Sequence, residues 1–99
     1  MTRNIMPLAI KVFYEGTSEE SPYVAYSSEM ELCAGGKTSD EAKRNLVNVI
    51  EEVLDYKSDD GTLDAYLLEL GFIKSKDKNY ISPELSFINV HVAASIQYE

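Results

Sequence analysis

The sequence predicts an α+β fold in which an antiparallel sheet is covered by helices on one face, in the order β-β-β-α-α-β. Three observations lead to this class. Apolar and polar residues alternate near the N-terminus and again near the C-terminus, which is the two-residue period of a half-buried strand. Between them, apolar residues recur every three or four positions, which is the period of an amphipathic helix. Strands followed by helices are typical of α+β architecture.

Length and composition limit the classes of protein that the chain can be. Its 99 residues are enough for one modest core, so a single domain over residues 1–99 is expected. The single cysteine fits a reducing compartment, and no apolar run is long enough to cross a bilayer. The N-terminus also lacks the pattern of a signal peptide. We therefore expect a cytoplasmic protein without a membrane contact.

The chain is strongly acidic, with 17 Asp and Glu against 9 Lys and Arg and a net charge of −8. Such a surface repels phosphate backbones, which disfavours direct DNA binding. The charge either keeps the domain soluble or matches a basic protein partner. Composition leaves both explanations open.

Three strands joined by polar turns are predicted in the N-terminal third, as an antiparallel meander. The first covers residues 5–14, the second residues 23–27 and the third residues 30–34, ended by Gly35 and Gly36. Four residues of the first strand share one face: Leu8, Ile10, Val12 and Tyr14.

A capping box begins the first helix, because the Thr38 hydroxyl can accept the N–H of Glu41 and the Glu41 carboxylate can reach back to Thr38. An apolar stripe then runs for about five helical turns. Its members are Ala42, Leu46, Val49, Ile50, Val53 and Leu54. Residues 57–61 are expected to end this helix and turn the chain.

The C-terminal part is predicted to hold a short helix and a long final strand. Thr62 can cap the helix, and Gly71 suits the position after its last residue. The basic segment Lys74 to Tyr80 is expected to be a loop or frayed hairpin. Residues 88–96 alternate as a strand, with His91 on the polar side. This strand could also pair with another copy across a dimer.

A set of residues between Tyr23 and Tyr56 matches one family pattern without a gap. The matching residues are Tyr23, Ala25, Ser28, Glu29, Met30, Glu31, Leu32, Gly36, Lys37, Thr38, Glu41, Ala42, Asn45, Leu46 and Ile50. In these residues the segment resembles the HicB-like antitoxin family. Three of these positions depart from the pattern: Ser28 stands where the family usually has proline, and Met30 and Glu31 are mild replacements.

The resemblance implies a fold, a function and partners. The fold would be partially ribonuclease-H-like, and the function would be non-catalytic neutralisation of a HicA-like toxin, a small basic protein that cleaves messenger RNA. The antitoxin would act by occluding the toxin's catalytic surface, without a cofactor and as a homo-oligomer, either a dimer or a tetramer. Many members carry a C-terminal DNA-binding domain, but we expect none here, because the sequence after residue 57 predicts only one short helix and a strand.

Two alternatives to an antitoxin remain: a stand-alone oligomeric regulatory or structural domain, and a divergent metal-dependent nuclease. A nuclease of the ribonuclease-H type needs carboxylates that converge on metal ions from strands and a helix. Here the N-terminal carboxylates lie in or near loops: Glu15, Glu19, Glu20, Glu29 and Glu31. His91 has no nucleophile or orienting group at a readable spacing, and Cys33 is expected to be a small buried hydrophobe. We therefore expect no enzyme, no catalytic residue and no metal site.

Acidic residues are the candidate partner-binding site. Glu51, Glu52 and Asp55 crowd the outer C-terminal side of the first helix, where carboxylates oppose the helix dipole. Glu29 and Glu31, at the start of the third strand, are a second candidate. An ordinary solvated surface is the alternative in both cases.

The basic segment also carries a candidate contact with nucleic acid. Its lysines and Tyr80 mix charge and an aromatic ring, as contacts with single strands do. The lysines are Lys74, Lys76 and Lys78. A solvated loop is the alternative explanation.

Overall fold

The residues that the structure describes form one three-stranded sheet, two helices and a short two-stranded ladder. The structure is a computed structural model that describes residues 6, 8–16, 18–74, 80–81, 86 and 88–93. The elements in chain order are β1 (Lys11–Tyr14), β2 (Tyr23–Ser27), β3 (Leu32–Gly36), α1 (Ser39–Asp59), α2 (Leu63–Glu69), β4 (Ile73–Lys74) and β5 (Tyr80–Ile81). The sheet has the order β1-β2-β3, and β4 pairs with β5 separately. The predicted α+β class, with an antiparallel three-stranded sheet followed by two helices, is confirmed.

The two faces of the sheet differ in how far the rest of the chain covers them. Val12 of β1 pairs with Ala25 of β2, which pairs with Ala34 of β3, and these residues pack into the core beneath α1. Because side chains alternate along a strand, Tyr26 and its partner Cys33 point to the other face. Cys33 is exposed there, so the prediction that it is buried is wrong.

The ends of β1 and β3 differ from the prediction. Residues 8–10 adopt no strand, and β1 begins only at Lys11. The third strand begins at Leu32, because the chain first turns through Glu31, whose φ is +55°. Within that turn the N–H of Met30 donates to the Ser27 hydroxyl at 3.3 Å. The strand then continues through both glycines instead of ending at them.

Gly36 allows α1 to lie very close to β3. A Cβ atom on Gly36 would lie 2.4 Å from the backbone nitrogen of Ala42 and 2.8 Å from its Cα. Ala42 is fully buried at this contact, and its side chain is small enough to fit there. Glycine is therefore needed here because a side chain has no space.

The capping box at the start of α1 is confirmed in one direction. The N–H of Glu41 donates to the Thr38 hydroxyl at 3.0 Å. The Glu41 carboxylate accepts from the N–H of Lys37 at 3.1 Å, one residue before the donor expected. The helix ends at Asp59, inside the segment predicted to stop it. Lys57 remains helical, with its ammonium 5.1 Å from the ring centroid of Tyr66 on α2.

The end of α2 is a Schellman motif, as the glycine predicted. Gly71 has φ +97°, and its N–H donates to the carbonyl of Leu68 at 3.1 Å. The next N–H, of Phe72, donates to the carbonyl of Leu67 at 2.9 Å. At the start of α2, Thr62 is the N-cap residue but its side chain caps no backbone N–H, so the predicted side-chain cap is wrong; the N–H of Thr62 itself donates to the Asp60 carboxylate at 3.0 Å.

The buried core joins the sheet to both helices. Its buried residues are Ala25, Met30, Ala42, Leu46, Ile50, Leu67 and Phe72. Phe72 and Met30 are the largest of them, so the turn after α2 and the turn before β3 contribute the bulkiest side chains. Each large aliphatic or aromatic side chain buried in this way stabilises the fold by about 1.5–3 kcal/mol.

The predicted final strand is wrong over the part that the structure describes. Residues 88–93 adopt no strand, and residues 94–96 lie outside the described residues. Alternation alone does not make a strand, because a strand also needs a neighbour with which to exchange backbone hydrogen bonds. The predicted hairpin is present, since Ile73 pairs with Ile81 and Lys74 with Tyr80. Its connecting residues 75–79 are outside the described part.

Candidate functional site

Three predicted partner-binding residues form one surface on α1. Glu51, Glu52 and Asp55 are all exposed. Residues three or four positions apart are neighbours on a helix, so Asp55 adjoins both glutamates. We call these three residues the acidic face.

The acidic face has no cationic partner within the described part of the chain. The ion pairs found there are Lys43 with Asp40 and Lys74 with Asp64, each at 3.1 Å. The face also lies on the C-terminal half of α1, where the helix dipole adds negative potential.

Asp60, the C-cap residue of α1, adds one more carboxylate at that end of the helix. The Thr62 hydroxyl donates to the Asp60 carboxylate and holds the pKa of Asp60 below its usual value. Asp60 therefore stays charged at neutral pH. The C-terminal end of α1 as a whole is suited to attract a basic group.

An apolar groove adjoins the acidic face. It has a volume of about 350 Å³ and lies between α1 and the segment that leads into β1. Its lining residues are Met6, Leu8, Ile10, Val47, Ile50, Glu51 and Leu54. Among them, Val47 has 43% of its surface exposed. Among the described lining residues Glu51 alone is charged, and it belongs both to the groove and to the acidic face.

Glu29, another predicted binding residue, lies inside the molecule. It is only 9% exposed, and its Oε2 accepts the backbone N–H of Ala9 at 3.0 Å. Its Oε1 is buried without a hydrogen-bond partner among the described residues. A buried, unpaired polar atom lowers the free energy of unfolding. The hydrogen bond from Ala9 to the other carboxylate oxygen offsets part of that loss and holds Glu29 in place. That bond fixes the segment between Leu8 and Ile10, which forms one wall of the groove.

Glu31 is exposed but belongs to a different part of the surface. Its position in the left-handed turn directs it toward α2, where it affects Tyr66. Burial is the main cause that raises the pKa of Tyr66 above its usual value, and the negative charge of Glu31 adds to it. Of the five residues predicted for partner binding, four are exposed and Glu29 is buried.

The remaining candidate residues do not assemble into a second site within the described chain. His91 is exposed and lies outside regular structure. Lys74 is held by Asp64, which also accepts a hydrogen bond from the Tyr80 hydroxyl. Lys76 and Lys78 lie outside the described residues. The described residues contain no group of three or more His, Cys, Asp or Glu that could hold a metal ion.

The groove and the buried carboxylate were missed by sequence reasoning. One signal for the groove was available, because Val47 is an apolar residue beside the predicted stripe of α1. An apolar residue outside the stripe widens the apolar surface beyond what the sheet covers. No sequence signal distinguished Glu29 from the other carboxylates near it, since its burial depends on a contact 20 residues away.

Together these features define an α+β domain with an acidic helix face beside an apolar groove. Comparison of the chain with protein-family models, with curated proteins and with solved structures finds no match in any of the three. The resemblance to the HicB-like family stays a prediction. Among the described residues, no helix combines the length and apolar character needed to span a membrane.

Proposed function

We propose that this chain is a non-catalytic binding protein of the HicB antitoxin type, which neutralises a small basic toxin that cleaves messenger RNA. In this proposal the three-stranded sheet and α1 are the part of the chain that corresponds to a partial ribonuclease-H-like fold. The toxin is inhibited because its catalytic surface is covered. No catalytic group of this chain is required.

The observation that carries the proposal is the acidic face. Glu51, Glu52 and Asp55 are exposed and form no ion pair within the described residues. Carboxylates that are left free on a surface can pair with lysine or arginine of a partner without first breaking an internal salt bridge. Charge complementarity of this kind raises the association rate and disfavours wrong partners.

The groove gives the acidic face a neighbouring apolar contact. Protein interfaces combine a desolvated apolar centre with a polar rim, and Glu51 stands on the boundary between the two here. Arginine and lysine carry an aliphatic stem below their charge. A basic side chain that pairs with Glu51 can therefore also pack its stem against Val47.

The net charge of −8 supports the same class of partner. A basic ribonuclease is attracted to an acidic protein over the Debye length, which is about 8 Å at physiological salt. The toxin's RNA-binding surface is itself basic because it binds phosphates. An acidic antitoxin thus covers the surface that RNA would use.

The test is co-purification of this chain with the product of the neighbouring reading frame, which the proposal expects to be a short basic protein. A triple charge reversal, Glu51→Lys with Glu52→Lys and Asp55→Lys, is expected to abolish co-purification. The matched control reverses three exposed carboxylates between β1 and β2, namely Glu15, Glu19 and Glu20. Both variants change the net charge by the same amount, so only the position of the charge differs.

The control variant is expected to retain the partner. Equal loss in both variants would mean that net charge alone matters, and full retention in both would mean that the acidic face is not the site. Either result would refute the assignment of the site. A purified chain that binds no neighbour and forms a clean homo-oligomer would instead favour a stand-alone regulatory or structural domain.

A further inference from the structure

The C-terminal segment displays apolar side chains to solvent in a regular pattern. Ile88, Val90 and Val92 are exposed by 79%, 77% and 58% of their surface. They alternate with Asn89 and His91. Single exposed apolar residues are ordinary, but several close together along a segment are typical of an interaction surface.

The same segment lacks charge. No Asp, Glu, Lys or Arg occurs between Leu85 and Tyr98, although 26% of the chain is charged. The centre of a protein interface is depleted in charged residues. In a chain of net charge −8, a neutral segment is also the part that a second copy can approach without local repulsion.

The apolar groove lies near one edge of the sheet. β1 is an edge strand of the sheet, and the groove runs between α1 and residues 6–10, which precede β1. Apart from Glu51, the described residues of its walls are apolar, and it is large enough for about ten waters. Water against apolar walls is unfavourable, so displacement of that water by aliphatic side chains is favourable.

The opposite edge of the sheet, formed by β3, is less available for pairing with another strand. On β3 the carbonyl of Gly35 already accepts a hydrogen bond from the Asn45 side chain of α1 at 2.8 Å. Along β1, the sheet order leaves the outer edge without a partner strand among the described residues. An open edge strand presents unpaired N–H and carbonyl groups that pair readily with another strand.

We propose that residues 88–93 of one copy pair as a strand with the β1 edge of a second copy and insert Ile88, Val90 and Val92 into its groove. The exchange is reciprocal and forms a symmetric dimer. Strand alternation then directs Asn89 and His91 away from the groove. In each chain the segment is exposed and does not line its own groove, which is why the occupant is a second copy.

This inference is tested separately from the proposed toxin partner, although Val47 and Glu51 line the groove, so the toxin and the second copy would compete for these two residues. Glu52 and Asp55 do not line the groove, so they stay accessible in the dimer. Loss of toxin binding and loss of dimerisation are therefore separate outcomes, measured on different variants.

The first test measures the molar mass of the full chain by light scattering during gel filtration. The wild type is expected to have twice the chain mass of 11.1 kDa. Val90→Asp places a charge in the groove, and Asn89→Asp places the same charge one residue away, on the outward side. Val47→Glu and Asn48→Glu are the corresponding pair on α1, and both positions are exposed, so folding is preserved.

The groove variants are expected to weaken dimerisation at least about a hundred-fold, because each substitution occurs twice in a symmetric dimer and each loses about a factor of ten. The control variants are expected to stay dimeric, and far-UV circular dichroism verifies that all four fold. A monomeric wild type, or a dimer insensitive to Val90→Asp, would overturn the proposal.

A second test separates exchange between copies from pairing within one chain. In a Cys33→Ser background, one preparation carries Val47→Cys and another carries Val90→Cys. A short bismaleimide is expected to link the two chains when the preparations are mixed. Efficient linkage within a single chain that carries both cysteines, at monomer mass and without linkage between chains, would show that the segment folds back on its own groove and would refute the exchange.

Discussion

Replacement of Gly36 by alanine would place a methyl group inside the contact between β3 and α1. The new Cβ would lie 2.4 Å and 2.8 Å from the nitrogen and Cα of Ala42, and 2.9 Å from the carbonyl carbon of Glu41. All three atoms are backbone atoms in the first turn of α1, and the cap on Thr38 fixes that turn. No side-chain rotation can relieve the overlap, so α1 must move away from the sheet.

Overpacking of a core costs about 1–3 kcal/mol, and we expect the upper end here because backbone must shift. A loss of about 3 kcal/mol is a large part of the 5–15 kcal/mol that stabilises a typical domain. For a chain of this size it lowers the melting temperature by about 12–24 °C. Thermal and urea unfolding followed by circular dichroism measure both quantities.

Gly35→Ala is the matched control, since it adds the same methyl group to the neighbouring residue of the same strand. Its Cβ would meet the Ser21 Cβ at 3.2 Å, and Ser21 is an exposed loop residue that can yield. We expect a loss below about 1 kcal/mol. If both alanine variants lose the same stability, α1 does not lie as close to Gly36 as the structure has it, and the reasoning fails.

Two further predictions concern Glu29 and Tyr66. Glu29→Ala leaves the N–H of Ala9 without its acceptor, so we expect a loss of about 1–3 kcal/mol in urea unfolding, whereas Glu20→Ala on the exposed loop changes stability by less than about 0.5 kcal/mol. Equal losses of stability in the two variants would mean that Glu29 does not anchor the segment at Ala9. Tyr66 has a pKa raised above 10.0 by burial and then by Glu31. Because the folded state favours the protonated Tyr66 side chain, the stabilisation that it provides is fully present below pH 10.0. It is lost as the pH rises through the folded-state pKa. Glu31→Gln is expected to lower the pKa of Tyr66 in a tyrosinate absorbance titration, and an unchanged pKa would contradict the contact.

The parts of the fold that sequence predicted well are those specified by local signals. The start of α1 depends on Thr38 and Glu41, three residues apart, and the end of α2 depends on Gly71. β2 has the predicted bounds because polar turns flank its alternating residues. Each of these features is encoded within a few neighbouring positions.

The errors arose where the structure depends on distant contacts. Cys33 was expected to be buried because its neighbours are apolar, but the turn through Glu31 sets which residues of β3 face α1. Residues 88–96 alternate as a strand does, yet alternation does not specify the edge with which a strand pairs. The buried position of Glu29 likewise depends on Ala9, which no local pattern reveals. For the candidate site, the three residues on α1 could be predicted as an exposed set, whereas the groove beside them could not.

The central claim is that this chain inhibits a basic ribonuclease by covering it, and an RNA-cleavage assay tests it most directly. The product of the neighbouring reading frame, which the account expects to be a short basic ribonuclease, is incubated with RNA while this chain is added in increasing amounts. The variant reversed at Glu51, Glu52 and Asp55 is assayed in parallel. The account predicts that cleavage stops near one copy of this chain per copy of the basic protein, and that the reversed variant does not stop it. Cleavage that continues in the presence of excess wild-type chain would contradict the account, as would metal-dependent cleavage of RNA by this chain alone.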